Sequence, residues 1–148
     1  MAPVKGLPAG EDDWYLHLLW VDRRKCLLMT HAGTLFSVFV PGVRASELRL
    51  LAPLVARTVT ERLRLEGLPL DVLGPLDPVA ARVALTADRS VLGYVNQIAF
   101  NCRYQIDRAG GLDAVDLAGL NGWLLRMLHS RDGYTTPLDL IAHRQGEE

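Results

Sequence analysis

Residues 14–40 carry the strongest pattern in the chain, an alternation of side chains with the two-residue period of β-strands. In the first strand both sets of alternate residues are largely apolar, so we expect part of its outer face to be covered too. Typical turn residues, Asp22-Arg23-Arg24-Lys25 and Ala32-Gly33, separate three such segments. We therefore predict an antiparallel β-meander with strands at 14–21, 26–31 and 34–40.

Apolar residues at helical spacing predict three or four helices after the meander. The first begins near Ser46 and is interrupted by Pro53, where we expect a kink or a restart. The second begins near Asp88 or Ser90 and ends at about Ala109. The third follows an N-cap at 113 with inward leucines up to 128, the last starts at the Thr-Pro pair 136–137, and 79–86 is a possible fourth strand.

Composition fits one globular domain in a chain of 148 residues, 49% of them hydrophobic. We assign residues 1–13 to a flexible N-terminal lead-in and 14–144 to a single domain. A net charge of −1 gives no global field that would attract nucleic acid or an anionic membrane. No apolar run reaches the length of a membrane span, and two cysteines do not make a disulfide scaffold, so we expect a cytoplasmic protein without membrane contact.

Few residues have the types and spacing of a chemical site. The four histidines lack the i, i+4 spacing of a helical zinc pair, and no nucleotide or nucleophile motif is present. We therefore predict no catalytic residues, no metal and no cofactor. Across the first hairpin, His17 and His31 could still meet, depending on a register that the sequence leaves open.

Five residues remain as candidates for binding a ligand or partner. Arg23, Arg24 and Lys25 form a cationic turn that could contact phosphate or an acidic surface, or simply keep the turn in water. Arg89 lies at a helix start, where free N–H groups favour anions, and Asn96 lies on a partly covered helix face. The favoured interpretation of Asn96 is that its amide satisfies the backbone groups at the end of a strand.

Several segments together resemble a known family. They are Trp14-x-x-x-Leu18-Leu19-x-Val21-Asp22-Arg23-Arg24-Lys25-Cys26, then Thr34-Leu35-Phe36-Ser37 and Pro41-Gly42, then Arg89-Ser90-Val91-Leu92-Gly93 with Asn96, and last Leu117 to Asn121. In this order they resemble a family of small bacterial proteins catalogued only as a domain of unknown function. The resemblance covers residues 14–140 and implies a bacterial cytoplasmic protein with one coherent fold, and no particular chemistry.

The expected fold is α+β, with three to four strands and three to four helices packed mainly on one face. Its other face (Tyr15, His17, Leu19 and Phe39) would then be exposed. The leading hypothesis is a non-enzymatic interaction module that binds a protein partner, or forms a homodimer, through that face. One alternative is a nucleic-acid-associated protein using Arg23, Arg24, Lys25 and Arg89, and another is a small enzyme with a site near Arg89, Tyr94 and Asn96.

Overall fold

The computed structural model describes residues 10–76, 83–84, 89–131 and 133–146, with only the backbone of 83–84 and 89–90. The strands are β1 Trp14–Val21, β2 Arg24–His31, β3 Ser37–Val40, β4 Val83–Ala84, β5 His129–Ser130 and β6 Tyr134–Thr135. The helices are α1 Ala45–Arg49, α2 Leu51–Leu65, α3 Arg89–Ala109, α4 Leu117–Leu124 and α5 Pro137–Gly146. None of these described helices combines the length and apolar character needed to cross a membrane.

The main sheet has the strand order β3-β2-β1-β4, and β5 and β6 form a separate hairpin. β1 pairs with β2, and β2 with β3, in antiparallel orientation, which confirms the α+β class and the meander. β4 adds a short parallel strand beside Trp14 and Tyr15. The predicted fourth strand is thus present at Val83–Ala84, and the rest of the predicted 79–86 segment lies outside the described residues.

A two-residue turn joins β1 to β2. Asp22 and Arg23 have φ values of 50° and 63°, the left-handed values of the turn that matches strand twist in a hairpin. Strand two therefore begins at Arg24, two residues earlier than predicted. Asp22 Oδ2 accepts a hydrogen bond from the N–H of Leu112 at 2.7 Å, so the hairpin tip is held against the loop after α3.

Helices cover both faces of the sheet, which therefore lies between two layers. α2 and α5 pack on the side of Trp14, Met29 and Val38, and α3 and α4 pack on the side of Tyr15 and Leu28. The prediction that Tyr15, Leu19 and Phe39 form an exposed face is wrong, because all three are at most 2% exposed beneath α3 and α4. Strand one is apolar on both sides because each side contacts a helical layer.

The predicted helix interruption is confirmed. α1 ends at Arg49 and α2 starts at Leu51, which makes Pro53 the third residue of α2. A proline is tolerated there because the first N–H groups of a helix have no partner within it. The third predicted helix is shorter than expected, since α4 ends at Leu124, and Leu128 is exposed rather than inward.

Residues 10–13 add contacts that begin before the predicted domain start at 14. The Glu11 carbonyl accepts a hydrogen bond from the Gly33 N–H at 2.7 Å, and the Asp13 carbonyl accepts one from the Ala32 N–H at 2.9 Å. Asp12 reaches both His31 and, at the other end of the chain, Arg144 of α5. This segment therefore covers the end of the sheet opposite the β1–β2 hairpin tip.

Candidate functional site

The two outer strands of the meander, β1 and β3, differ in whether their outward-pointing backbone N–H and C=O groups have hydrogen-bond partners. In an antiparallel strand the N–H and C=O of successive residues point alternately to either side. The backbone of Lys25 and His31 bonds toward the β3 side, since Lys25 C=O accepts from Val43 N–H and His31 N–H donates to Phe36 C=O. Leu27 lies between these two residues with the same alternation, so its backbone also points toward β3. Leu18 is its partner on β1, and the backbone groups of Leu18 therefore point away from β2.

On the β3 edge a side chain occupies the outward backbone groups of Phe39. The Asn121 amide of α4 accepts a hydrogen bond from the Phe39 N–H at 2.7 Å and donates one to the Phe39 C=O at 3.2 Å. It thereby occupies both groups that a further strand would use at this residue. The next residue, Pro41, has no N–H to offer.

On the β1 edge the described strand β4 reaches only as far as Tyr15. The outward N–H and C=O groups of Leu18 and Trp20 have no partner among the described residues. Their side chains lie on the α2 side of the sheet and are 52% and 60% exposed. We call the residues Leu18 to Val21 the open edge.

The cationic turn is only partly free. Arg24 donates to both carboxylate oxygens of Asp113, at 2.9 and 3.1 Å. The Lys25 ammonium lies 5.5 Å from the centre of the Trp20 ring, a cation–π contact. Arg23 is exposed at the tip and forms no ion pair within the part of the chain described here. The three cations thus point in different directions and do not converge on one anion.

The other two candidates lie on α3. Arg89 is its first residue. Asn96 is exposed on the helix surface, has no hydrogen bond to a strand end within the described part of the chain, and lines neither of the two grooves described below. A side chain at Gly93 would meet no atom within 4 Å among the described residues outside its own helix. Tyr94 donates a hydrogen bond to the Ser130 carbonyl and so serves the packing of β5 on α3.

One flank of α3 borders the open edge and carries charged and aromatic side chains. His17 of β1 is half-buried beneath this flank. Burial lowers the pKa of the His17 imidazole, and the nearby positive charge of Arg103 lowers it further. Arg103 and Phe100 are exposed. Helical periodicity predicted the inner stripe of α3, and nothing in it distinguished these two outer residues from ordinary solvated positions.

A groove of about 810 Å³ lies on the opposite side of the molecule, between α2 and α4 along β3. Its apolar lining includes Val40, Leu65 and Leu117. Two of its arginines already have carboxylate partners, since Arg57 pairs with Glu47 at 3.2 Å and Arg62 with Glu66 at 2.8 Å. A smaller groove of about 260 Å³ lies between α3 and α4.

The buried titratable side chains His31 and Cys102 serve the packing of the core. His31 is fully buried; its Nδ1 accepts from the Thr34 N–H, and its Nε2 lies 3.0 Å from the Leu73 carbonyl. It lies opposite Trp14 and on the other face from His17, so the two histidines do not meet. Burial raises the pKa of the Cys102 thiol to about 12, which leaves it unreactive. Within the described residues, no three His, Cys, Asp or Glu side chains are arranged to hold a metal ion.

Comparison with known proteins places the chain in a family. The match is to a domain of unknown function, DUF6933, and spans residues 3–140. The search of curated proteins returned no significant match. With nearly the whole chain matched, this protein belongs to the DUF6933 family.

Proposed function

We propose that this protein is a non-enzymatic interaction module that binds an extended segment of a partner protein along the open edge. The observation that carries the proposal is the contrast between the two sheet edges. Asn121 occupies the outward groups of Phe39 on β3, whereas those of Leu18 and Trp20 on β1 have no partner among the described residues. An extended polypeptide supplies N–H and C=O groups at the matching two-residue repeat.

The side chains of the open edge also favour the binding of an extended peptide segment. Leu18 and Trp20 project from one face, so a strand added beside β1 would place its own alternate side chains against them. Aromatic residues with large exposed areas are common anchors of protein interfaces. Backbone pairing and apolar burial would therefore act together at one place.

The other surfaces favour binding less. In the groove beside β3, Arg57, Arg62 and Asn121 are engaged with other parts of the protein. Nucleic-acid binding by the hairpin tip gains little support, since Arg24 is paired with Asp113 and the chain has a net charge of −1. For the enzyme hypothesis, Asn96 is exposed on a helix surface outside both grooves.

The proposal retains the expectation of a bacterial cytoplasmic protein. Its support is that Cys26 and Cys102 are both buried free thiols, a usage typical of reducing compartments.

Proline substitutions test the open edge. Leu18→Pro removes an N–H that points away from β2, which an edge strand tolerates, and blocks pairing with an added strand. Leu19→Pro instead removes an N–H that bonds β2, so we expect it to unfold the protein. Circular dichroism and thermal melting of both variants test the assigned direction of these groups.

The binding experiment uses a displayed library of twelve-residue peptides selected on the wild-type protein. We expect selected peptides to lose binding to folded Leu18→Pro and to Trp20→Ala, and to keep binding to Asn96→Ala, measured by fluorescence anisotropy. Peptides that bind Leu18→Pro as well as wild type would overturn the proposal. So would a stable dimer in sedimentation velocity that Leu18→Pro dissociates, because the edge would then serve a second copy.

A further inference from the structure

The surroundings of the open edge differ between its two faces. On one face lie the exposed apolar side chains of Leu18 and Trp20. On the other face lies α3, which packs on β1 through the buried stripe that includes Val95, Ile98 and Cys102. A strand added at this edge would therefore present alternate residues to two chemically different surfaces.

The position of Arg103 on α3 follows from its neighbours. Gln105 lines the small groove between α3 and α4, so that side of α3 faces α4 and β3. Arg103 lies two residues earlier, about 200° around the helix axis, and therefore on the side away from α4. Its effect on His17 places it beside β1. The Arg103 guanidinium thus borders the open edge on the α3 face.

Building on the proposed function, we infer that the partner segment is an extended peptide with apolar residues facing Leu18 and Trp20 and an acidic residue facing Arg103. Arg103 is exposed and has no carboxylate partner among the described residues. A carboxylate on the added strand, next to His17, would supply one. The recognised pattern is therefore an extended segment with apolar residues on one face and an acidic residue opposite Arg103 on the other.

A second charge limits how many acidic residues fit. Asp107 lies one helical turn beyond Arg103, toward the hairpin tip, and is also exposed. A second acidic residue, two positions further along the α3 face of the peptide, would approach Asp107 and be repelled. One acidic residue opposite Arg103, followed by a neutral or basic one, matches both charges.

The test uses two synthetic peptides that alternate valine and threonine and differ only at the central α3-facing position, which is Glu in one and Lys in the other. The wild-type protein should bind the Glu peptide roughly threefold or more tightly, as expected for an exposed ion pair, and high salt should remove the difference. Arg103→Glu should reverse the preference. Arg108→Glu, a matched change elsewhere on α3, should preserve it.

The outcomes separate this inference from the proposed function. If both peptides bind in a Leu18-dependent manner but Arg103→Glu keeps the wild-type preference, edge binding stands and acidic recognition by Arg103 is overturned. If neither peptide binds wild type and library selection also yields no Leu18-dependent peptide, the proposed function itself is overturned. Reversal by Arg103→Glu but not by Arg108→Glu supports the inference.

Discussion

Among individual residues, His31 is a fully buried imidazole whose shifted pKa bears directly on stability. Burial lowers the pKa of its imidazole to about 4, although Asp12 opposes the shift, and Arg144 adds to it. Protonation would replace the acceptor Nδ1 by a donor that faces the Thr34 N–H. The fold therefore requires the neutral ring.

This environment predicts a loss of stability in mild acid. An unfolded histidine binds its proton near pH 6.5 and the folded one only near pH 4, so the unfolded state binds more protons between these values. Stability is complete above pH 6.5 and decreases as the pH falls toward 4. Between pH 7.5 and 5 the free energy of unfolding in urea should fall by about 2 kcal/mol. An NMR titration that shows His31 protonating near pH 6.5 would contradict the explanation.

Two glycines should respond oppositely to alanine. A Cβ at Gly33 would lie 2.7 Å from the backbone oxygen of Glu11, so Gly33→Ala must displace the N-terminal segment. We expect a loss of about 1–3 kcal/mol. Gly93 lies within α3 in open space, and Gly93→Ala should stabilise the protein by up to about 1 kcal/mol. Chemical denaturation measures both, and equal effects would show that the contact with Glu11 is unimportant.

At the scale of elements, Asn121 joins α4 to β3. Asn121→Ala removes both hydrogen bonds to Phe39 and leaves that edge without its cap. The expected cost is about 1–2 kcal/mol, with a greater tendency to self-associate, because unpaired edges recruit other strands. Asn96→Ala, which removes an exposed amide, should change stability by less than about 0.5 kcal/mol. Urea unfolding and light scattering distinguish the two variants.

Elements with local signals were predictable from sequence. The end of α3 at Ala109 follows from the two glycines after it, and α5 starts where Thr136 Oγ1 accepts from the Asp139 N–H, a reciprocal cap visible in the sequence. The early end of α4 was missed because Leu128 continues the leucine spacing although the chain has already left the helix. Apolar residues at helical spacing therefore do not by themselves mark the residue at which a helix ends.

At the scale of the whole molecule, the assignment of helices to sheet faces was the main error. The sequence places Trp14 and Leu18 on one face of β1, and the structure agrees. Local sequence patterns do not reveal that α3 packs on the opposite face of the sheet from α2, because that placement depends on long-range packing. The open edge likewise depends on how far β4 extends along β1. The binding surface that we predicted on the Tyr15 face is buried, and the exposed apolar side chains near this edge are instead those of Leu18 and Trp20.

The contact between Asp12 and Arg144 has a practical consequence for attachment. It brings the segment before β1 and the final helix together at the end of the sheet remote from Asp22. A fusion partner, tag or immobilising surface joined directly to residue 10 or to residue 146 would thus start at that same end. The hairpin tip and Trp20 lie at the other end of the sheet, so an attachment of this kind would leave Trp20 free to meet a partner from solution.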